Sequence, residues 1–428
     1  MKICVIGLGY IGLPTAAMFS NYGCEVVGVD VKAEVVEVLN QGKIHIEEPG
    51  LGDMIRKSVL NGTFRASTSP EEADVFIIAV PTPNNDDFYM SCDLTHVLQA
   101  CSSIIPHVNK GTVVIVESTI APRSMDDFVK PLFERHGKVI GEDIFLAHCP
   151  ERVLPGQILH ELIHNNRIVG GITNNCTEAA AEVYGLFVKG EIIKTEAKTA
   201  EMSKCMENTF RDVNIALANE LAKICNKLEI NVFDVVQMAN KHPRVNIHSP
   251  GPGVGGHCLA VDPYFIYAKA PEYANLIKIA RDTNNSMPQF VVGQVRKLIN
   301  GIDDPKIAVY GVTYKGNVDD MRESPAVEVI KELEVKGYNI AIHDPHVKHE
   351  KFVDAEEAVL NADVLLVLTD HNEFKQLDHE KIATLMRTAV VFDTKNVIKK
   401  NEDTGLVVLN FGNVHEYLKR NDVYEAIV

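Results

Sequence analysis

The chain alternates short, almost wholly apolar runs with longer stretches in which apolar residues recur every three or four positions. Lys2 to Ile6 and Glu25 to Val29 are such runs, and Val75 to Val80, Thr112 to Val116 and Ile144 to Ala147 follow. Runs that are apolar on both faces suit the strands of a parallel sheet covered by helices on each side. The later ones end in small, polar or proline residues: Pro81-Thr82-Pro83, Glu117-Ser118-Thr119 and His148-Cys149-Pro150-Glu151. In a parallel sheet these carboxyl ends are where ligands sit, although a strand end calls for turn residues in any case.

The pattern then repeats. Lys306 to Tyr310, Gly311, a helix near Pro325 to Lys336, and Asn339 to Ile342 ending at His343-Asp344 echo the start of the chain. Ala362-Asp363-Val364-Leu365-Leu366-Val367 mirrors Ala73-Asp74-Val75-Phe76-Ile77-Ile78. This predicts an α/β protein with two Rossmann-like, doubly wound domains. Between them, Thr199 to Leu228 lacks proline and glycine, and Met202, Met206, Phe210, Val213, Leu217, Leu221 and Ile224 recur at helical spacing. A central helical region with a long connecting helix follows from that period.

The first turn carries chemistry. Gly7-Leu8-Gly9-Tyr10-Ile11-Gly12 lies between a strand and a helix, and Asp30 ends the second strand, 18 residues beyond Gly12. Such glycines allow a tight turn and bring pyrophosphate close to a helix N-terminus, whose amides favour anions. An acidic residue at Asp30 accepts from both ribose hydroxyls and repels a 2′-phosphate, so NAD is expected rather than NADP. The second copy has Gly311-Val312-Thr313-Tyr314-Lys315-Gly316 instead, which fits a different nucleotide or none. The resulting division is 1–198 for NAD binding, 199–300 for a central helical, Cys-bearing region, and 301–428 for the second Rossmann-like domain.

Composition narrows the remaining classes. With 428 residues, 46% hydrophobic and 23% charged, this is ordinary globular material of two or three domains. Nine cysteines without a C-x-x-C pair argue against a disulfide framework and against a thiolate metal site, so no metal is expected and a reducing cytoplasm fits. A formal net charge of −16 disfavours nonspecific binding to nucleic acid or to anionic membranes. The apolar stretch from Met1 to Phe19 superficially resembles a signal peptide, but its regular glycines are better explained by the nucleotide turn. No later stretch is long and apolar enough to span a bilayer.

The most informative segment is Gly251-Pro252-Gly253-Val254-Gly255-Gly256, which runs into His257-Cys258, with Asp262 four residues on. Consecutive bare amides suit an anion such as a diphosphate, with the Cys258 thiol alongside it as a nucleophile. Many cysteines are only small buried apolar residues. On the long helix, Lys204, Asn208 and Arg211 or Asp212 recur on one face, a pattern that commonly marks a solvated surface. If Cys258, Lys204 and Asn208 converge, they suit thiol-dependent oxidation of a hydroxyl. Thiolate would add to an aldehyde, a cation and an amide would stabilise the oxyanion, and Asp262 or Glu151 would activate water.

Several longer motifs add to this picture: Gly7-Leu-Gly-Tyr-Ile-Gly12, Pro150-Glu-Arg-Val-Leu-Pro-Gly156, Ala200-Glu-Met-Ser-Lys204-Cys-Met-Glu-Asn208, His242-Pro-Arg-Val-Asn246, Gly251 to Pro263 and Asp319-Asp-Met-Arg-Glu-Ser-Pro325. Through them the chain resembles the UDP-glucose/GDP-mannose dehydrogenase family nearly end to end, most closely its branch acting on UDP-N-acetylmannosamine. The resemblance implies Cys258 as nucleophile and Lys204 as acid/base and oxyanion partner. Asn208 and Asp262 assist, with Glu151 and Thr119 near the reacting carbon. It implies NAD contacts at Tyr10, Ile11, Asp30, Thr82, Thr119 and Arg322. UDP-sugar contacts are implied at Arg152, Val153, Lys204, Asn208, Arg211, His242, Arg244, Gly255, Tyr314 and Lys315. It further implies a homodimer or higher oligomer seamed along the long helix, with Arg244 able to reach a neighbouring subunit.

His257 before Cys258, Leu259-Ala260-Val261 after it, and the Glu-Arg-Val-Leu-Pro-Gly loop depart from the UDP-glucose branch and favour a UDP-N-acetylhexosamine. The epimeric N-acetylglucosamine and N-acetylgalactosamine substrates, and UDP-glucose itself, stay open. So do a two-electron hydroxyacid dehydrogenase with an inert Cys258 and a non-catalytic nucleotide sensor.

Overall fold

The computed structural model describes residues 1–154, 156–399 and 404–420. Pro155 of the Pro150 to Gly156 motif and residues 421–428 of the expected last domain lie outside the described residues. The chain divides into two compact units, Met1–Glu207 with Tyr264–Tyr273, and Asn208–Pro263 with Ala274–Val428.

In the first unit, Lys2–Ile6 (β1), Glu25–Val29 (β2), Phe64–Ser67 (β3), Val75–Ile78 (β4), Thr112–Val116 (β5), Ile144–His148 (β6), Arg167–Gly171 (β7) and Ile192–Glu196 (β8) form one sheet in the order β3-β2-β1-β4-β5-β6-β7-β8. All neighbours run parallel except β6 and β7. The near-continuous burial of β1, β4 and β5 explains their unbroken apolar sequence, since helices cover both faces. Because β1, β2, β4, β5 and β6 share one direction, the residues after each of them (Gly7, Asp30, Thr82, Thr119 and Glu151) gather at one edge of the sheet. The strand order reverses beside β1, where a doubly wound sheet opens its ligand crevice.

The second unit holds Lys306–Tyr310 (β9), Asn339–His343 (β10), Val364–Val367 (β11), Val390–Asp393 (β12) and Val407–Leu409 (β13), in the order β10-β9-β11-β12-β13 and all parallel. The internal repeat is therefore a repeat of structure. Asp30 Oδ2 accepts the Leu8 amide at 3.1 Å, and its counterpart Asp344 accepts the Val312 amide at 2.8 Å. Asp344 differs in being closed over by His371 (3.1 Å), which also takes the Asn317 amide on Nδ1 (2.9 Å). Burial opposes its ionisation, but His371 and the amides of Val312 and His346 outweigh this and hold Asp344 below the usual carboxylate range. It is committed to the fold in a way that Asp30 is not.

The long helix, Ala197–Leu228, passes from one unit into the other and begins two residues before the predicted start. Of its apolar stripe, Leu221 packs against the core of the second unit, but most of the other members do not form core. Met202, Met206, Phe210, Leu217 and Ile224 are exposed, Phe210 by 64%. The buried positions are small or polar instead: Ala200, Glu201, Cys205, Asn208, Asp212, Asn219, Ala222 and Cys225. Periodicity locates an apolar face without saying what covers it.

Candidate active site

In the first unit the nucleotide turn is built by backbone crowding. Gly7 has φ +92, and a Cβ there would meet the Ala79 carbonyl oxygen at 2.4 Å; a Cβ on Gly12 would meet the Gly7 oxygen at 1.9 Å. Those two glycines are demanded by the fold itself. Gly9 is not, because a Cβ there would point into open space. Its bareness suits a pyrophosphate approaching the N-terminus of the helix Gly12–Asn21. Tyr10 is partly exposed beside it, Ile11 is half-buried, and Thr82 Oγ1 donates to the Thr119 carbonyl at 2.6 Å, joining the ends of β4 and β5. Asp30 Oδ1 accepts only the Lys32 amide (3.0 Å), so both carboxylate oxygens keep lone pairs for ribose hydroxyls. These residues fit a dinucleotide lacking a 2′-phosphate. Asp30→Ser is expected to raise KM for NAD about ten-fold and to make NADP usable, read from initial rates with each cofactor.

Beyond β6, Glu151 lies buried, its Oε1 accepting the Arg152 amide (2.7 Å) and its Oε2 the Arg167 guanidinium (2.9 Å). Arg152 pairs with Glu207 at 2.7 Å, and Val153 packs against the core of the sheet. On the long helix, Glu201 accepts the amides of Arg123 (2.6 Å) and Met125 (2.8 Å), and the Cys205 thiol donates to the Ile120 carbonyl (3.5 Å). These bonds dock the first turns of that helix onto the segment following Thr119, with half-buried Lys204 between them. Burial, helped by the nearby Lys204 ammonium, pushes His148 down to about 3, so its imidazole is neutral. Lys204, His148 and Glu151 thus belong to one neighbourhood at the carboxyl end of β6. Arg167 escaped the sequence reading, and Glu117 and Glu201 entered it only inside longer motifs with no role of their own; the short run from Arg167 to Gly171 was the available signal for β7.

In the second unit, Cys258 is exposed, whereas the other cysteines are buried or half-buried. The Asp262 amide donates to the Cys258 carbonyl (2.9 Å), and Asn208 Nδ2 donates to the buried Asp262 carboxylate at 2.6 Å. Three of the expected chemical groups are therefore drawn together. Glycines before Cys258 are also demanded by close packing. A Cβ on Gly255 would meet the Glu323 carbonyl oxygen at 2.1 Å, and the Gly251 amide is taken by Asn219 Oδ1 at 2.9 Å.

The helical stripe needs a correction. Asn208 and Asp212 are buried, and only Arg211 is exposed, so this is not a solvated face. Asp212 accepts from Arg281 (2.6 Å) and from Asn284 (2.8 Å). Asn219 donates to Asn284 (2.9 Å), and Arg281 reaches the Leu259 carbonyl (3.4 Å). Both ends of the segment Gly251 to Leu259 are thereby pinned to one polar lattice. Burial pushes the Asp212 carboxyl up, against the pull of Arg281.

Around the thiol, His257 pairs with Asp320 (2.9 Å), which also takes both forks of exposed Arg322 (2.9 Å each). Burial opposes ionisation of Asp320, but Arg322 and His257 hold it well below the carboxylate range. The Tyr314 ring packs under Gly256 and beside His257, while Lys315, His242 and Arg244 are exposed on their loops. One cluster has the composition of a metal site, His346, His371 and Glu373 within 4.8 Å. The nitrogens of His371 are already engaged with Asp344 and Asn317, which leaves that cluster two ligands.

Three sequence profiles of one family match the chain in order. They are described as UDP-glucose/GDP-mannose dehydrogenase family, NAD binding domain (residues 1–188), central domain (198–286) and UDP binding domain (308–400). A UDP-N-acetyl-D-mannosamine dehydrogenase of Methanococcus maripaludis is 48% identical over 423 residues, covering 96% of this chain and 97% of that protein. Among solved structures, the UDP-N-acetyl-mannosamine dehydrogenase Cap5O from Staphylococcus aureus is 55% identical with a TM-score of 0.92, over 97% of this chain and 100% of that one. A UDP-D-ManNAc dehydrogenase from Pyrococcus horikoshii is 40% identical with the same TM-score of 0.92, over 97% and 100%.

Proposed function

The chain belongs to the UDP-glucose/GDP-mannose dehydrogenase family, and from that premise we propose that it oxidises carbon six of UDP-N-acetyl-D-mannosamine to the carboxylate. The observation that carries this reading is the exposed Cys258 at the end of a doubly pinned segment, with Asn208 and Asp262 joined one turn away. Gly7 to Gly12 and Asp30 would hold NAD, which would supply the hydride acceptor for each oxidation.

The protein's own part is as follows. The Lys204 ammonium first gives up a proton to solvent and, as the neutral amine, takes the hydroxyl proton as the alcohol becomes an aldehyde, which restores the ammonium. The Cys258 thiolate adds to that aldehyde, and the ammonium of Lys204 with the amide of Asn208 stabilises the new oxyanion. Asp262 holds Asn208 in the donating orientation. Loss of a second hydride turns the hemithioacetal into a thioester. Glu151 then removes a proton from water, hydroxide adds to the thioester carbonyl, and the C–S bond breaks to release carboxylate and thiol. Thr119 and Thr82 line the cofactor side. Arg152, Val153, Arg211, His242, Arg244, Gly255, Tyr314 and Lys315 hold the nucleotide sugar, and Arg322 contributes on the cofactor side.

In this reading the stretches 1–198, 199–300 and 301–428 serve NAD, catalysis with dimerisation, and UDP. The exposed stripe Met202, Met206, Phe210, Leu217 and Ile224 is the dimer seam. No helix among the described residues is long and apolar enough to cross a membrane, and we place the enzyme in the cytoplasm. The test is stoichiometry. With UDP-N-acetyl-D-mannosamine as substrate, two NADH are expected per sugar; one NADH with an accumulating aldehyde overturns the reading.

A further inference from the structure

Arg167 opens β7 with its side chain only 6% exposed, and its Nη2 donates to Glu117 Oε1 (2.6 Å) and to Glu151 Oε2 (2.9 Å). Its Nε reaches Cys149 Sγ (3.1 Å), and the guanidinium carbon lies 4.0 Å from the centre of the Tyr184 ring. Glu117 has no exposed side-chain surface. It also accepts the Tyr184 hydroxyl (2.6 Å) and the Thr15 hydroxyl (3.2 Å). The groups that face Glu117 are thus Thr15 from the nucleotide-turn helix, Tyr184 from the helix Asn174–Tyr184, Arg167 from β7, and Cys149 and Glu151 from the segment after β6.

Two carboxylates share one cation here. Burial keeps Cys149 neutral, pushed up to about 12, and Tyr184 neutral well above its ordinary value. With both carboxylates ionised the enclosed cluster carries a net charge of −1, which a buried site resists. We propose that Arg167 and Glu117 are positioning residues that act on the reaction through Glu151. The guanidinium fixes the direction of the Glu151 carboxylate, and the charge on Glu117 decides how much of that guanidinium Glu151 must share. This rests on the assignment of Glu151 to water activation.

Burial pushes Glu117 up to about 7, against the pull of Arg167 and with Glu151 adding to the rise. Below that pH Glu117 is neutral and the Arg167 charge is directed to Glu151 alone, holding that carboxylate away from the attacking water. Above it Glu117 ionises and draws on the guanidinium, whose hold on the Glu151 carboxylate loosens and frees it to meet the attacking water. The hydrolytic step therefore accelerates as pH rises through about 7.

Glu117→Gln is nearly isosteric, and its bonds can be met: the amide oxygen accepts from Arg167 and Tyr184, and the amide donates to Thr15 Oγ1. It holds the site permanently in the low-pH condition. The measurement is single-turnover decay of the Cys258 thioester by rapid quench and mass spectrometry. The ratio of wild-type to E117Q decay rates is expected to climb from about one at pH 6 to about three to ten at pH 8, with KM for NAD and for the sugar unchanged. Taking the ratio cancels ionisations elsewhere in the site. In Tyr184→Phe, loss of a hydroxyl donor to Glu117 is expected to move the wild-type acceleration to higher pH. A ratio that is flat across pH, or a Y184F profile superimposed on the wild type, overturns the positioning role. If the wild type meanwhile keeps two NADH per sugar, the proposed reaction stands while this inference falls.

Discussion

Cys258→Ala is expected to lose at least about a thousand-fold in kcat for carboxylate formation, because removing a covalent nucleophile eliminates the intermediate through which the second half of the reaction passes. KM for the nucleotide sugar should change little, since the thiol forms its bond to the sugar only after the aldehyde has appeared. The first oxidation does not need sulfur, so the variant should still release one NADH per sugar, slowly, and accumulate aldehyde. Rapid-quench product analysis beside NADH counting distinguishes this from general damage. Retention of most of the acid-forming turnover would assign the protein to simple two-electron chemistry and leave Cys258 as a bystander. The arrangement of the loop favours the first outcome, as Cys258 is exposed while its neighbours are fastened down: the Gly251 amide to Asn219, and the Leu259 carbonyl to Arg281.

Asp212→Ala should cost about 3–5 kcal/mol of stability, because it strips a buried guanidinium of its counter-charge without providing water to replace it. Arg281 and Asp212 have side-chain exposures of 3% and 0%, so neither end of the pair can relax into solvent. Asn284 loses the carboxylate acceptor at the same time and keeps only the backbone carbonyl of residue 212. The expected signature is a lower thermal midpoint for the variant and, in the protein that stays folded, a fall in kcat from loosening of the segment holding Cys258. A double variant that also replaces Arg281 with Met should recover a good part of the stability, since an apolar pair of similar volume removes the stranded charge. If Asp212→Ala melts with the wild type, the lattice does not hold the segment.

These two results come from different depths of the sequence. Cys258 was legible because its context is local: glycines and prolines immediately before it and Asp262 one turn after. The importance of Asp212 was not. Its partners lie 69 and 72 residues away, and on the helix it reads as one more charged residue at solvent-face spacing. Arg167 was hidden in the same way, 50 residues from Glu117 and at the head of a strand too short for its pattern to stand out. The glycines before Cys258 were recognised, but one demand on them was not: a Cβ on Gly255 would run into the carbonyl of Glu323.

Sequence alone determined the two Rossmann-like units, the choice of NAD and the long helix, and it singled out Cys258 as the candidate nucleophile. Each is written in a local pattern of residue types: apolar runs suited to buried strands, a glycine-rich turn between strand and helix, an acid at a strand end. Tertiary structure decided which charges are buried together and what each face of the long helix does. Glu117, Arg167 and Glu151 share one guanidinium, and Asp212 anchors the thiol segment. Most of the apolar stripe of the helix stays outside while alanines, cysteines and polar residues turn inward. The physical reason is that the cost of enclosing a charge depends on groups brought in from remote parts of the chain, and no spacing along the sequence records them.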